Sequence, residues 1–424
     1  MRYIIIGCSA AGISAAQEIR KYHTAAEIVI VTEEHYKAYG RPLISYYLKD
    51  RVKEEDIYYK DKSFYTDNFI YLLTGKRVVD INLEQKYITL NDDKKIDYDR
   101  LLIATGSKPF VPHIENAEGK ANIFTFMNME SAKQIKEYAK PEMKAVVIGG
   151  GLIGMKAAEG LKKLCSSVTV LELAERILPT ILDTKASSLV RKHSENNGID
   201  IITGDTAVQL NGSDKVESLT LKSGKTLPCD ILIMAVGVRP NTELAQKAGC
   251  LIDKGIVIDH KMQTNIEDIY AAGDCALTPD VVDGKNKVIA LWPTAVQQGK
   301  IAGGVMAGAD TRYEGSFAMN AIDLFGLHML TAGVIGGEEE GYEVKIIIND
   351  KGYRRFSIKD GLLKGFMLVG DIERGGLYTT VIRERLPLSG LDEEIFENPE
   401  FISFDRVTKE ALFLNSDAIK GDIV

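Results

Sequence analysis

Hydrophobic positions along this chain gather in short uninterrupted runs, and two of those runs end on glycine in the same way. Tyr3–Ile6 meets Gly7, and Lys144–Ile148 meets Gly149. Such runs, rich in branched residues and lacking alternation, predict strands buried on both faces of a parallel sheet. The residues after each glycine turn are small and apolar at helical spacing, which predicts helices over Ile13–Arg20 and Leu152–Leu164. A second apolar run closes each unit, Glu27–Thr32 before Glu33 and Glu34, and Val168–Leu171 before Glu172. The pattern is strand–helix–strand, twice. Three later runs, Tyr98–Pro109, Ile231–Asn241 and Ile269–Ala276, again lead apolar strands into small-residue turns. From about Tyr313 the pattern changes. Strand-like runs over Tyr342–Asp350 and Tyr353–Gly370 alternate with loops, and a helix is expected near Gly376–Arg385.

At 424 residues the chain exceeds what one core supports, so two to three domains are expected. A net charge of −8 disfavours nucleic acid and anionic membrane as partners. No apolar run approaches the roughly 20 residues that span a bilayer. Tyr3 already opens a strand, leaving no room for a signal peptide, and a cytoplasmic protein is expected. The five cysteines, Cys8, Cys165, Cys229, Cys250 and Cys275, are too widely spaced for an iron–sulfur, zinc or dithiol motif. Six histidines without a close pair add no metal constellation, so no metal is expected.

The chemistry lies in the glycine loops. A glycine turn between a buried strand and a helix lets backbone N–H groups and the helix N-terminus hold a pyrophosphate, while an acid at the end of the next strand accepts from ribose hydroxyls. In the first unit Gly7, Ser9 and Gly12 form the loop, with serine where the middle glycine is usual. In the second, Gly149, Gly151 and Gly154 complete GxGxxG, and Glu172 comes at about the 20-residue spacing of such acids. An acid there favours NAD(H) over NADP(H), although Arg176 stands close by. Two different dinucleotides in one chain suggest a flavin beside a nicotinamide.

Taken in order, GxSAAG, ATG, GGGLIG, AVGVRPN and AAGD resemble the pyridine nucleotide–disulfide oxidoreductase superfamily, over about Met1–Gly308. The resemblance implies an α/β fold with two Rossmann-like dinucleotide-binding domains plus a C-terminal α+β domain. The FAD domain, residues 1–111 and 239–312, would be interrupted by an NAD domain at 112–238, with an interface domain at 313–424. The loop "YGRPLISYYL" (Tyr39–Leu48) is similar to that of the branch lacking a redox disulfide, the rubredoxin, ferredoxin and nitrite-reductase-type NADH reductases. No cysteine lies between Cys8 and Cys165. Leu368–Ser389 resembles NADH reductases associated with carbon monoxide dehydrogenase and the flavin part of assimilatory nitrite reductase.

Carried over residue by residue, the resemblance puts Gly7, Ser9, Ala10, Ala11 and Gly12 on the FAD pyrophosphate and Glu33 or Glu34 on its ribose. Arg41 and Pro42 would lie by the flavin, Val78 at the adenine, and Ala104, Thr105, Gly106 and Asp274 along the linker. Trp292 and Ala295, within Leu291–Gly299, would cover the pyrimidine end of the ring. Gly149, Gly151, Leu152, Ile153, Gly154, Glu172 and Gly237 would meet NAD. Arg41 can equally be read as a surface cation and Trp292 as a core aromatic. Two positions depart from the family. Tyr46 stands where such reductases often have lysine after "PLS", and Lys156 where they often have glutamate after GGGxIG. Lys156 is either a solvated helix lysine or a cation at the flavin–nicotinamide junction.

The function implied is an FAD enzyme that takes hydride from NADH and passes electrons singly to a small redox protein such as rubredoxin or ferredoxin. The missing dithiol motivates single-electron transfer, and the reverse direction is equally consistent. An NADH oxidase using oxygen and a redox-sensing flavoprotein scaffold are the alternatives. Oligomerisation is left open.

Overall fold

A computed structural model describes residues 1–390 and 395–396. The chain forms two compact units, one of residues 1–178, 194–280 and 284–316, the other of 179–193, 281–283 and 317–424. Of the C-terminal domain expected over 313–424, residues 391–394 and 397–424 lie outside the described residues.

The first unit contains two five-stranded parallel sheets built to one plan. In the first, the order is Ile269–Ala271, Arg100–Ile103, Arg2–Ile6, Glu27–Val31 and Ile70–Leu73. In the second it is Ile199–Thr203, Ser167–Glu172, Lys144–Ile148, Ile231–Met234 and Ile123–Thr125. The apolar runs read from sequence are the central strands. Tyr3, Ile4, Ile5, Val146 and Val147 are at most 1% exposed, as strands covered on both faces require. Each sheet is accompanied by a three-stranded antiparallel meander, Val78–Asn82 with Tyr87–Leu90 and Lys95–Asp97, and Ala207–Asn211 with Ser218–Leu221 and Thr226–Pro228. The α/β class with two Rossmann-like sheets is as the sequence indicates.

The helix after the first loop spans Ala10–Tyr22 and packs closely on helix Trp292–Met306. Small residues make this approach possible. A Cβ added to Gly299 would fall 2.2 Å from the Ala11 carbonyl oxygen, and one on Gly303 would fall 2.4 Å from that of Ala15. The helix after the second loop ends at Leu161, short of the expected Leu164. Glu172 is the last residue of its strand. Ser107–Pro109 and Val238–Pro240 pair antiparallel as a short ribbon, next to the expected domain boundaries at 111/112 and 238/239.

The second unit holds an antiparallel sheet in the order Met319–Leu324, Leu327–Gly333, Leu362–Gly370, Gly352–Lys359 and Glu343–Asn349, with helix Gly375–Arg383. Its core includes Phe356, Phe366, Leu368, Tyr378 and Ile382.

Candidate functional site

Both glycine loops are held by backbone pressed against backbone. Gly7 has φ +120°, and a Cβ there would lie 2.1 Å from the Ala104 carbonyl oxygen. One on Gly12 would lie 2.0 Å from the Gly7 oxygen. The Gly7 amide donates to Val31 at 2.8 Å and the Ala104 amide to Ile6 at 2.9 Å. The second loop repeats each of these contacts. Gly149 has φ +109° and abuts the Ala235 oxygen, where a Cβ would come to 2.3 Å, and a Cβ added to Gly154 would fall 1.8 Å from the Gly149 oxygen. Its amides do the same, Gly149 to Leu171 at 2.7 Å and Ala235 to Ile148 at 2.8 Å.

The middle positions, Ser9 and Gly151, are the extended N-cap residues of the two helices. Neither helix has a side-chain cap, so the leading N–H groups of each are suited to an external anion. A Cβ on Gly151 would meet nothing within 4 Å. Ser9 turns its hydroxyl to a different use: it accepts from Arg41 Nε at 3.3 Å. A pyrophosphate therefore fits either loop, with an arginine beside the first.

Around the first loop, Ser9, Glu34 and Arg41 come together. The Glu34 carboxylate accepts from Arg41 Nη2 and from the Tyr39 hydroxyl, the latter at 2.7 Å. Arg41 Nη1 donates to the Met127 carbonyl at 3.5 Å. Arg41 is thus a network member rather than a loose surface cation. Glu33 and Pro42 are exposed. Asp274 is partly buried and accepts from Ser107 Oγ at 3.2 Å; burial raises its carboxyl above the usual range. The turn Ala104–Gly106 is braced by Asn241, whose side chain donates to the Thr105 carbonyl at 2.9 Å while Thr105 Oγ1 donates to the Asn241 carbonyl at 2.8 Å. Val78 is buried in the first meander, opposite Leu90. Trp292 opens its helix and meets Tyr59 edge-on, with ring centroids 5.2 Å apart at 84°. Ala295 is buried in the core shared with Ala10 and Ala11. Nothing in the sequence pattern singles out Tyr39, Tyr59, Ser107 or Asn241 for these contacts. Tyr39 and Asn241 do lie inside the motifs quoted for the resemblance.

At the second loop, Glu172 grips the turn itself. Its Oε2 accepts from the Gly150 amide at 2.7 Å and its Oε1 from the Ala174 amide at 2.8 Å. Leu152 and Ile153 are half-buried in the first turn of the helix, and Gly237, at φ +115°, comes after strand Ile231–Met234. Lys156 is not a solvated helix lysine. It is 15% exposed and donates to Glu159 Oε2 at 2.6 Å. Lys49 donates to the same oxygen at 2.8 Å, with Lys49 and Glu159 only 1% and 3% exposed. Both ammonium groups lie over the Tyr46 ring, at 4.8 Å for Lys49 and 5.2 Å for Lys156.

All five cysteines are unpaired. Burial pushes the Cys8 thiol up to about 11, against a smaller lowering by its contact with the Tyr65 hydroxyl. No group of three or more His, Cys, Asp or Glu side chains among the described residues could hold a metal ion. No described helix is long and apolar enough to cross a membrane.

Comparison with known proteins adds a family match and three individual likenesses. The family model for pyridine nucleotide-disulphide oxidoreductases matches residues 1–299. Over 322 residues the chain is 37% identical to an NADH oxidase of Methanocaldococcus jannaschii, covering 74% of this chain and 71% of that protein. It is 31% identical over 389 residues to the NAD(P)H nitrite reductase of Bacillus subtilis, covering 91% of this chain and 48% of the relative, so it spans about half that protein's length. Among solved structures, the covalent putidaredoxin reductase–putidaredoxin complex matches with a TM-score of 0.85 and 26% identity, over 99% of each chain.

Proposed function

The chain belongs to the pyridine nucleotide–disulphide oxidoreductase family, and from that membership we propose an FAD enzyme that takes hydride from NADH and hands electrons singly to a small carrier such as rubredoxin or ferredoxin. One observation carries this reading. The same backbone crossing is built twice in one chain, and no cysteine pair accompanies either copy.

Bound at the first loop, FAD supplies reversible hydride acceptance at its ring. The protein's part is to bind and orient. In this reading the N–H groups of Ser9, Ala10, Ala11 and Gly12 hold the FAD pyrophosphate with Gly7 beneath it, and Arg41 stands beside it with Pro42. Glu33 or Glu34 meets the ribose, Val78 the adenine, and Ala104, Thr105, Gly106 and Asp274 the linker. Trp292 and Ala295 cover the far end of the ring. Gly149, Gly151, Leu152, Ile153, Gly154 and Gly237 hold NADH, and Glu172 accepts from its adenosine ribose. The domain boundaries in this reading are 1–111 with 239–312 for FAD, 112–238 for NAD and 313–424 for the third domain. The separate sheets and the ribbon joining them support the first two. A cytoplasmic location is proposed on the five unpaired cysteines.

A second reading, an NADH oxidase, is favoured by the likeness to the Methanocaldococcus jannaschii protein. Stopped-flow mixing of the anaerobically NADH-reduced enzyme with rubredoxin, ferredoxin, quinone or oxygen separates the two. Carrier reduction faster than reoxidation by oxygen is expected. Oxygen reacting fastest would replace the reductase reading with the oxidase one.

A further inference from the structure

Gln298 stands in the middle of helix Trp292–Met306, a polar side chain 1% exposed on a helix whose Ala295, Ala302 and Met306 belong to the core around Ala11. Leucine or methionine would fill the same space without burying an amide, so the amide calls for a reason. Its Oε1 accepts from the Gly273 amide at 2.7 Å. Its Nε2 donates to Thr278 Oγ1 at 3.4 Å and to Tyr313 Oη at 3.5 Å, both residues being fully buried. Within a carboxamide only the oxygen accepts, so the side chain stands one way round, and its shortest bond is to the Gly273 backbone. The turn at Gly273 is tied elsewhere by the Ala272 amide, which donates to the Ile103 carbonyl at 3.1 Å, and by the Ala276 amide, which donates to the Gly273 carbonyl at 2.9 Å. It also touches the first glycine loop. Gly273 has φ +85°, and a Cβ there would fall 3.2 Å from the Ala11 Cβ and 3.8 Å from that of Ala295. Ala11 lies in the first turn of helix Ala10–Tyr22, among the leading N–H groups suited to an anion, and Gly299, the residue after Gln298, presses on the Ala11 carbonyl.

We propose that Gln298 is a positioning residue for FAD: it holds the Ala272–Cys275 turn against Ala11, so that the wall of the first glycine loop has its binding shape before the ligand arrives. The proposal rests on FAD binding at that loop. Its link to the ligand is the pyrophosphate site itself, reached through the contact of Gly273 with Ala11. A turn that passes through a glycine at positive φ has little stiffness of its own, and a bond from outside supplies it. Gln298 is well placed to do so because its helix is pinned on both sides of the contact: a Cβ on Gly299 or Gly303 would meet the backbone of helix Ala10–Tyr22. The turn and the loop it borders are therefore fixed to one rigid element. Without the Gln298 oxygen the Gly273 N–H would be left buried and unpaired, which is costly, and the turn would shift until that group found another partner. Restoring it on binding would then be subtracted from the affinity for FAD. The same turn carries Asp274, which accepts from Ser107 Oγ and meets the FAD linker in the proposed function.

The test is the FAD dissociation constant of the holoenzyme, measured by dilution and ultrafiltration with the released flavin read by fluorescence. Gln298→Met keeps an unbranched side chain of similar size and removes the acceptor, and the dissociation constant is expected to rise about tenfold or more. Val305→Ala is the control for ordinary loss of packing on the same helix. Val305 is buried in the same core, so its truncation should lower the urea midpoint while the FAD dissociation constant stays within about twofold of native. Should Gln298→Met fail to fold, Gln298→Asn, whose amide ends one carbon short of Gly273, predicts the same loss of affinity. An unchanged dissociation constant in the folded variant, or an equal rise in Val305→Ala, would overturn the proposal. FAD bound and reducible, yet inert toward NADH, would refute the proposed donor and leave this test standing. A native protein that binds no FAD would overturn both.

Discussion

Glu172 closes the second glycine turn through the Gly150 and Ala174 amides, and in the proposed function the same carboxylate would also accept from a ribose diol. A charge-assisted hydrogen bond is worth about 1.5–3 kcal/mol, so Glu172→Ala should reduce the preference for NADH over NADPH in kcat/KM by about tenfold or more. The ratio is the measure, because loosening of the turn lowers both values together. The cysteines lead to the opposite expectation. Cys8 titrates near 11, so its thiol stays protonated at neutral pH, and Cys275 is fully buried, donating to the Ile103 and Ala272 carbonyls. A Cys8→Ala/Cys275→Ala protein should keep NADH-driven turnover within about twofold, and loss of turnover with FAD still bound would assign a thiol to the chemistry. The glycines, Glu172 and the cysteines were legible in sequence because spacing alone identifies them. Lys49 and Glu159 were not. Each reads locally as an ordinary charged residue of a helical segment, and their burial arises from two segments that meet far apart in the chain. The shared three-residue offset from Tyr46 and Lys156 was the one available signal.

Helix Ala10–Tyr22 and helix Trp292–Met306 meet through Ala11, Ala15, Gly299 and Gly303, with no space for a further carbon. The obstructing atoms at Gly303 belong to the Ala15 backbone and cannot rotate away. Gly303→Ala should therefore cost about 1–3 kcal/mol, seen as a lower urea midpoint with an unchanged slope. An unaltered midpoint would mean that the helices separate freely. At this scale the sequence was most informative where strands are long, apolar and covered on both faces. It was least informative in the two meanders. Strands such as Lys95–Asp97 and Thr226–Pro228 are three residues long and mix polar with apolar side chains, so no run or alternation marks them. The helix ending at Leu161 shows the same limit, since Lys162–Leu164 continue the composition but turn instead.

In the whole molecule, the duplicate loops should be separately addressable. A Cβ on Gly154 collides with the backbone of the second loop, 1.8 Å from the Gly149 oxygen, while the first loop is built from other residues. Gly154→Ala should retain the flavin absorption and reduction by dithionite but lose NADH-driven reduction by about tenfold or more, whereas Gly12→Ala should lose FAD itself. If Gly154→Ala released the flavin, the division of labour between the loops would be wrong. The grouping of residues 179–193 with 317–424 was invisible in the sequence. It depends on distant partners, such as Asp183 accepting from Tyr353 and standing 3.3 Å from Arg355. The ribbon of Ser107–Pro109 and Val238–Pro240 has a topological consequence. A segment that leaves and re-enters its host through paired strands has its two ends about 5 Å apart. Such a segment can be acquired, exchanged or excised as a cassette without stretching the fold that carries it. Between its two strands the chain completes a second strand–glycine–helix unit, so both passages of the chain are fixed by one three-residue pairing.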